Sequence, residues 1–160
     1  MAEVVLRSEL GRVGLAGRVD VDSAGTGDWH IGSRMDSRAR AELALRGYDG
    51  SGHRARQFEP SWFGRYDLVA AMDSANLRDL RAMAPDHQTA DRIRLFRSFD
   101  PALAGGRGES GEADAHQDVP DPYGGTAADY ALAFDLVQPA AAGLAAQLAE
   151  LLPAQPASAG

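Results

Sequence analysis

Residues 66–80 read YDLVAAMDSANLRDL and join a short apolar run directly to a helical pattern. The run DLVAAMD, from Asp67 to Asp73, is typical of a strand buried on both faces in a parallel sheet. The next residues, SANLRDLRAM, have helical spacing, so the stretch predicts a strand that leads straight into a helix. This alternation favours an α/β fold whose functional residues lie at the carboxyl ends of the strands.

The flanking segments extend the same alternating pattern in both directions. Hydrophobic spacing, helix caps and period-two alternation predict helices over 1–12, 36–47, 74–83 and 126–151, and strands over 18–22, 67–73 and 93–96. Pro139 should kink the last helix. The Gly-rich acidic stretch 100–120 is predicted to be a long loop, and the tail 153–160 is predicted to be disordered. One domain over 1–152 therefore accounts for the chain.

The overall composition excludes several classes of function. The net charge of -7 and the lack of clustered basic residues argue against a nucleic-acid partner or an anionic membrane surface. No apolar run approaches 18 residues and the start lacks a signal pattern, so a cytoplasmic protein without a membrane partner is expected. The absence of cysteine excludes disulfides, thiolate metal sites and thiol nucleophiles for these 160 residues. The oligomeric state is left open.

Nothing in the sequence predicts a metal or a cofactor. The four histidines show no pairing at metal-ligand spacing. Gly25-Thr26-Gly27 lacks both the third glycine of a dinucleotide-binding turn and the lysine ending of a phosphate-binding P-loop. We therefore expect neither a metal site nor a nucleotide cofactor.

The clearest candidate for chemistry is the stretch DVPDPYGG, residues 118–125. Pro122 forces Asp121 into an extended conformation, so its carboxylate projects from the chain and can protonate a leaving group. The alternative is an ordinary turn that begins with Asp-Pro.

Trp29 with His30 presents an aromatic surface on a Gly-rich loop, and the alternative there is a tryptophan that covers the edge of the core.

His53 and Asp73 are the remaining candidates, since they could pair at the same edge of the sheet. Single histidines and aspartates are more often structural, so that alternative stays open for both. Their value as candidates depends on how the separate stretches combine.

Taken together and in order, several stretches resemble the low-molecular-weight protein tyrosine phosphatases over 1–152. They are MAE (1–3), DSAGTGDWHIG (22–32), DSRARAELALRGY (36–48), GHRARQF (52–58), YDLVAAMDSANLRDL (66–80), RLFRSFDP (94–101) and VPDPYGG (119–125). The resemblance implies a three-layer α/β fold, with a four-stranded parallel sheet flanked by helices. Low-molecular-weight phosphatases usually read DPYY where this chain reads DPYG, which affects the expected substrate preference.

The resemblance also implies that one conserved part is missing. In the family, a phosphate loop C-x5-R-S-P joins the first, inner strand to the first helix and is followed by a hydrophobic residue, Ala and Glu. Met1-Ala2-Glu3 match those following residues. We therefore expect that these residues lack the first strand, the nucleophilic Cys and the phosphate-gripping Arg, and that the natural protein starts about 15 to 20 residues upstream.

By the same resemblance, the substrate is a phosphotyrosine protein or a small aryl phosphate, hydrolysed through a phosphocysteine intermediate. Asp121 takes the position of the general acid and base. Trp29 and Tyr123 match the aromatic walls of the substrate pocket. The positions that match supporting roles near the phosphate loop are Ser23, His53 and Asp73. Without the nucleophile these 160 residues should be inactive, and the alternative is a non-catalytic pseudophosphatase that acts as a binding module.

Overall fold

Two short parallel strands form the sheet in the part of the chain that the structure describes, residues 1–28, 30–103 and 116–152. Val69 pairs with Ile93, and Ala71 with Leu95. The elements of this computed structural model are α1 (Ala2–Arg12), α2 (Ser37–Leu45), β1 (Val69–Ala71), α3 (Ser74–Met83), α4 (His87–Asp91), β2 (Ile93–Leu95) and α5 (Ala127–Leu151), with 3-10 helices at Pro60–Gly64 and Phe96–Phe99. The predicted α/β class with a parallel sheet is confirmed.

The number of strands differs from the prediction. The predicted strand over 18–22 does not form, although Val19 and Val21 are partly buried against the core. A strand needs a neighbouring backbone that exchanges ladder hydrogen bonds with it, and no described segment lies beside 18–22 in that way. Two isolated bridges follow it, one between Gly25 and Gln57 and one between Arg34 and Arg54. The described residues therefore form two strands rather than the three that the sequence predicts for this chain.

Short polar side chains start the helices at the predicted places. The Asp36 carboxylate accepts a hydrogen bond from the backbone N–H of Arg38 at 2.8 Å and caps α2. Thr126 and Asp129 form a reciprocal capping box at the start of α5. Such caps satisfy N–H groups that have no partner inside the helix. The predicted helix starts are confirmed for this reason.

The long helix α5 is the centre of the main core and packs against α1, α2 and the 3-10 helix Phe96–Phe99. Gly143 lets that 3-10 helix approach closely, because a Cβ at this position would lie 1.9 Å from the carbonyl oxygen of Phe99. The helix continues through Pro139 as one element. By length and apolar composition α5 could cross a membrane, and 44% of its most apolar window is buried inside the protein.

Three of the predicted features fall outside the described residues. These are Trp29, the tail 153–160 and most of the long loop, residues 104–115.

Candidate active site

The stretch 118–125, called the acid loop below, lies at the carboxyl end of β1. The backbone N–H of Val119 donates to the carbonyl oxygen of Met72, one residue beyond β1, at 2.8 Å. The Asp118 carboxylate accepts hydrogen bonds from the backbone N–H and the hydroxyl of Ser74, at 2.8 and 2.7 Å. The acid loop therefore lies at the edge of the sheet where the sequence predicts functional residues.

Asp121 is exposed on this loop, between Pro120 and Pro122. Its Oδ1 atom accepts a hydrogen bond from the backbone N–H of Tyr123 at 2.9 Å. This contact makes an ordinary turn that begins with Asp-Pro, as the alternative interpretation of the sequence has it. The same contact orients the carboxylate while the side chain stays accessible, so the turn and an acid role are compatible.

An aromatic surface stands beside Asp121. The Tyr123 ring is 62% exposed, and its centroid lies 5.2 Å from that of His30, with the two planes tilted by 52°. A cleft of about 300 Å³ adjoins Tyr123. Its lining residues are Pro120, Asp121, Pro122, Tyr123, Gly125, Asp129 and Leu132. An accessible carboxylate thus lies next to an apolar and aromatic surface that a flat ring can contact.

A second polar group gathers around Glu3 on α1. Ser23 donates its hydroxyl to Glu3 Oε2 at 2.5 Å, and His53 Nδ1 lies 3.2 Å from the same oxygen. Arg7 pairs with the other carboxylate oxygen at 3.0 Å. The hydrogen bond with His53 is the main cause that lowers the pKa of Glu3 below its ordinary value. Two of the predicted supporting residues, Ser23 and His53, are therefore brought together by Glu3.

The structure does not join His53 to Asp73 as the sequence suggests. Asp73 accepts a hydrogen bond from the backbone N–H of Asn76 at 2.6 Å and caps α3. Its carboxylate is committed to the helix end, whereas the Glu3 carboxylate lies within reach of the imidazole. The supporting roles of these residues stay predictions.

Arginines surround the Glu3 group but are largely paired. Asp22 binds Arg56 at 2.6 Å and also accepts a hydrogen bond from the Tyr66 hydroxyl, and the contact with Arg56 is the main cause that lowers the pKa of Asp22. A cavity of about 470 Å³ opens beside these residues. Its lining residues are Glu3, Val4, Arg7, Asp49, Gly52, His53, Arg54 and Arg56. Within the described ranges, no group of three potential metal ligands is suited to hold an ion.

The match to a family model decides the identification. The model for low molecular weight phosphotyrosine protein phosphatases matches residues 1–153. The chain belongs to this family.

Individual phosphatases show the same similarity along nearly the whole chain. The low molecular weight protein-tyrosine-phosphatase of Streptomyces coelicolor is 46% identical over 150 residues, which cover 94% of this chain and 85% of the relative. The low molecular weight protein-tyrosine phosphatase A of Mycobacterium tuberculosis is 37% identical over 145 residues, with coverage of 90% and 80%.

Solved structures of phosphatases agree with the fold. The protein tyrosine phosphatase of Entamoeba histolytica superposes with a TM-score of 0.79 at 28% identity, over 93% of this chain and 87% of that one. YfkJ of Bacillus subtilis superposes with a TM-score of 0.76 at 28% identity, over 94% and 86%. The low-molecular-weight phosphatase fold therefore holds although only two strands form among the described residues.

Sequence reasoning missed three residues, namely Glu3, which contacts Ser23 and His53, and Asp118 and Arg97, which hold the acid loop. Arg97 donates hydrogen bonds to the carbonyl oxygens of His116 at 2.7 Å and Asp118 at 3.4 Å, and so holds the start of the acid loop. Glu3 stands in the MAE stretch and Asp118 opens DVPDPYGG, so both lay within quoted motifs. The sequence does not show their long-range contacts, which join Glu3 to Ser23 and His53, and Asp118 to Ser74.

Proposed function

We propose that this protein is a cytoplasmic phosphoric monoester hydrolase that acts on phosphotyrosine proteins or small aryl phosphates. Membership of the phosphatase family supports the reaction class. The observation that carries the proposal further is the exposed Asp121 carboxylate, oriented by the Tyr123 N–H on an anchored loop and adjacent to the Tyr123 ring. Acid and aryl-contacting surface thus occur side by side.

Asp121 acts twice in the proposed reaction. A thiolate forms a bond to phosphorus while the bond from phosphorus to the aryl oxygen breaks, and Asp121 in its carboxylic acid form gives its proton to the leaving phenolate. In the second step a water molecule attacks the phosphocysteine, Asp121 takes the proton of the water, and the bond between sulfur and phosphorus breaks. The proton taken up in the second step restores the acid for the next cycle.

Aromatic contact selects the substrate in this scheme. Tyr123 packs against one face of the aryl ring, and Trp29 is the residue that we propose as the second wall. An aromatic pair of this kind favours flat rings through area burial and ring geometry. Aliphatic phosphates lack a ring to place between the walls and should be poor substrates.

The thiolate itself is not among these residues, because the 160 residues contain no cysteine. We propose that they do not turn over aryl phosphates by themselves, and that the reaction needs the thiolate of a C-x5-R-S-P loop. The same absence favours a second candidate function, a non-catalytic module that binds a phosphoprotein through the surface around Tyr123.

A gain-of-function experiment separates the two. A strand and a C-x5-R-S-P loop of the pattern that the family resemblance implies are joined ahead of Met1 to give what is called the loop-bearing form below. Hydrolysis of p-nitrophenyl phosphate is then compared with that of the 160-residue chain and of a loop-bearing form whose loop cysteine is serine. Only the loop-bearing form with cysteine should hydrolyse the substrate.

Two results would contradict the proposal. Turnover by the 160-residue chain would show a nucleophile that is not cysteine. A loop-bearing form that has the circular dichroism of an α/β protein and a cooperative unfolding transition, yet no activity, would favour the binding module instead.

A further inference from the structure

Asp118 ties the start of the acid loop to the first turn of α3. Its Oδ1 atom accepts two hydrogen bonds from Ser74, one from the backbone N–H at 2.8 Å and one from the hydroxyl at 2.7 Å. Ser74 is the first residue of α3, and its N–H has no partner within the helix. Asp73 takes a different N–H, that of Asn76, so the two carboxylates do not compete. The Asp118 contact is therefore a specific tie between the acid loop and the helix.

Further contacts hold Asp118 and its neighbour Val119 in the acid loop. The Val119 N–H donates to the carbonyl oxygen of Met72, and the Val119 side chain, 6% exposed, packs in the main core. On the other side, Arg97 donates to the carbonyl oxygens of His116 and Asp118. Residues 118 and 119 are thus fixed by α3, by the end of β1 and by the arginine.

The link from this anchor to Asp121 is short and stiff. Pro120 and Pro122 have φ values fixed by their rings, and each restricts the residue before it to extended conformations. Asp121 stands between the two prolines, three residues after Asp118. A shift at the anchor is therefore carried to the Asp121 carboxylate instead of being absorbed by the intervening backbone.

We propose that Asp118, acting through Ser74, is a positioning residue that sets the place of the Asp121 carboxylate against the leaving-group oxygen. This inference rests on the proposed function, in which Asp121 is the general acid. Proton transfer requires the carboxylate within hydrogen-bond reach of that oxygen. A displacement of about 1 Å at a reacting group lowers rates by about a hundredfold, so the anchor governs turnover without contact to the substrate.

The anchoring is tested first in the 160-residue chain by amide hydrogen exchange. In the Asp118→Ala variant the Val119 amide should exchange about tenfold faster or more, while the amide of Val137 in the core of α5 keeps its rate. Asp86→Ala is the matched control, because Asp86 caps α4 through the Thr89 N–H at 2.7 Å and belongs to another part of the surface. An unchanged Val119 rate in Asp118→Ala would overturn the anchor.

The positioning role is tested in the loop-bearing form with two substrates of different leaving-group quality. Asp118→Ala should lower kcat/KM, which reports the first step, about tenfold or more on phenyl phosphate, and much less on p-nitrophenyl phosphate, whose leaving group departs with little help from an acid. A merely structural role lowers the folded fraction and so lowers both rates equally, as Asp86→Ala would. Asp118→Asn keeps an acceptor oxygen for the Ser74 N–H and should restore most of the rate on phenyl phosphate.

The outcomes distinguish this inference from the proposed function. If Asp121→Asn itself shows no dependence on the leaving group, the acid role fails and the inference fails with it. If Asp121→Asn shows the dependence and Asp118→Ala does not, only the positioning role of Asp118 is overturned.

Discussion

Replacement of Asp121 by asparagine is the perturbation that bears most directly on the chemistry. The change keeps the Oδ1 acceptor for the Tyr123 N–H, whose hydrogen bond is 2.9 Å long, and so leaves the local turn in place. It removes only the transferable proton. Because Asp121 is exposed, the stability of the fold should stay within about 0.5 kcal/mol.

The expected loss of activity in the first step follows from the acid role of the carboxyl group, and kcat/KM reports that step without the later hydrolysis of the phosphocysteine. A positioned general acid contributes about 10²- to 10⁴-fold to a rate, so kcat/KM of the loop-bearing form on phenyl phosphate should fall by about that factor in Asp121→Asn. The loss should be smaller on p-nitrophenyl phosphate, because its phenolate needs less protonation as it leaves. The ratio of the two losses therefore measures the acid function separately from binding.

The assay is initial-rate kinetics on both substrates at one pH, with urea unfolding of each variant as the check on folding. Equal losses on the two substrates, or activity within about twofold of wild type on phenyl phosphate, would refute the assignment of Asp121 as the acid.

Three other changes test the account at separate places. In the loop-bearing form, Tyr123→Ala should raise KM for phenyl phosphate by about tenfold with a small effect on kcat, because the loss of an aromatic contact of about 1.4 kcal/mol weakens substrate binding. The matched variant Tyr123→Phe should keep the wild-type KM. An unchanged KM in both variants would contradict the aryl contact. Glu3→Gln should lower the free energy of unfolding by about 1 to 3 kcal/mol near neutral pH. Because the folded pKa of Glu3 is lowered, this difference is present above the ordinary carboxyl pKa and shrinks as the pH falls through the folded value; urea midpoints that show no such narrowing in acid would refute it. Gly143→Ala should lower the free energy of unfolding by about 1 to 3 kcal/mol or more, because its Cβ would lie 1.9 Å from the Phe99 carbonyl oxygen. In the same unfolding measurement Gly11→Ala, whose Cβ would have nothing within 4 Å, should be neutral or stabilising by up to about 1 kcal/mol.

Local patterns in the sequence predict the elements that depend on neighbours along the chain. The run around Val69 becomes β1 because its residues are apolar on both faces, and the helix after Asp36 starts there because the carboxylate caps the first turn. The segment 18–22 has an equally regular alternation but forms no strand, since a ladder needs a partner that alternation alone does not supply. Local pattern thus gives the type of an element, and pairing decides whether a strand forms.

The candidate site divides in the same way. Asp121 and Tyr123 are adjacent in one proline-restricted stretch, so their juxtaposition is a local property that the sequence predicts. The partner of His53 is not local. It is Glu3, which lies 50 positions away on α1. The sequence points to Asp73 instead, because the local pattern around His53 does not show that α1 packs beside it, and Asp73 caps α3.

The measurement that tests the central claim most directly is the intact mass of the loop-bearing form after rapid acid quench with p-nitrophenyl phosphate, for wild type and Asp121→Asn. The account predicts that the variant accumulates an adduct of one phosphoryl group on the loop cysteine, because without Asp121 the water that should hydrolyse the intermediate is not activated. Release of p-nitrophenol by the Asp121→Asn variant without any phosphocysteine, or an adduct on a residue other than the loop cysteine in either protein, would contradict it.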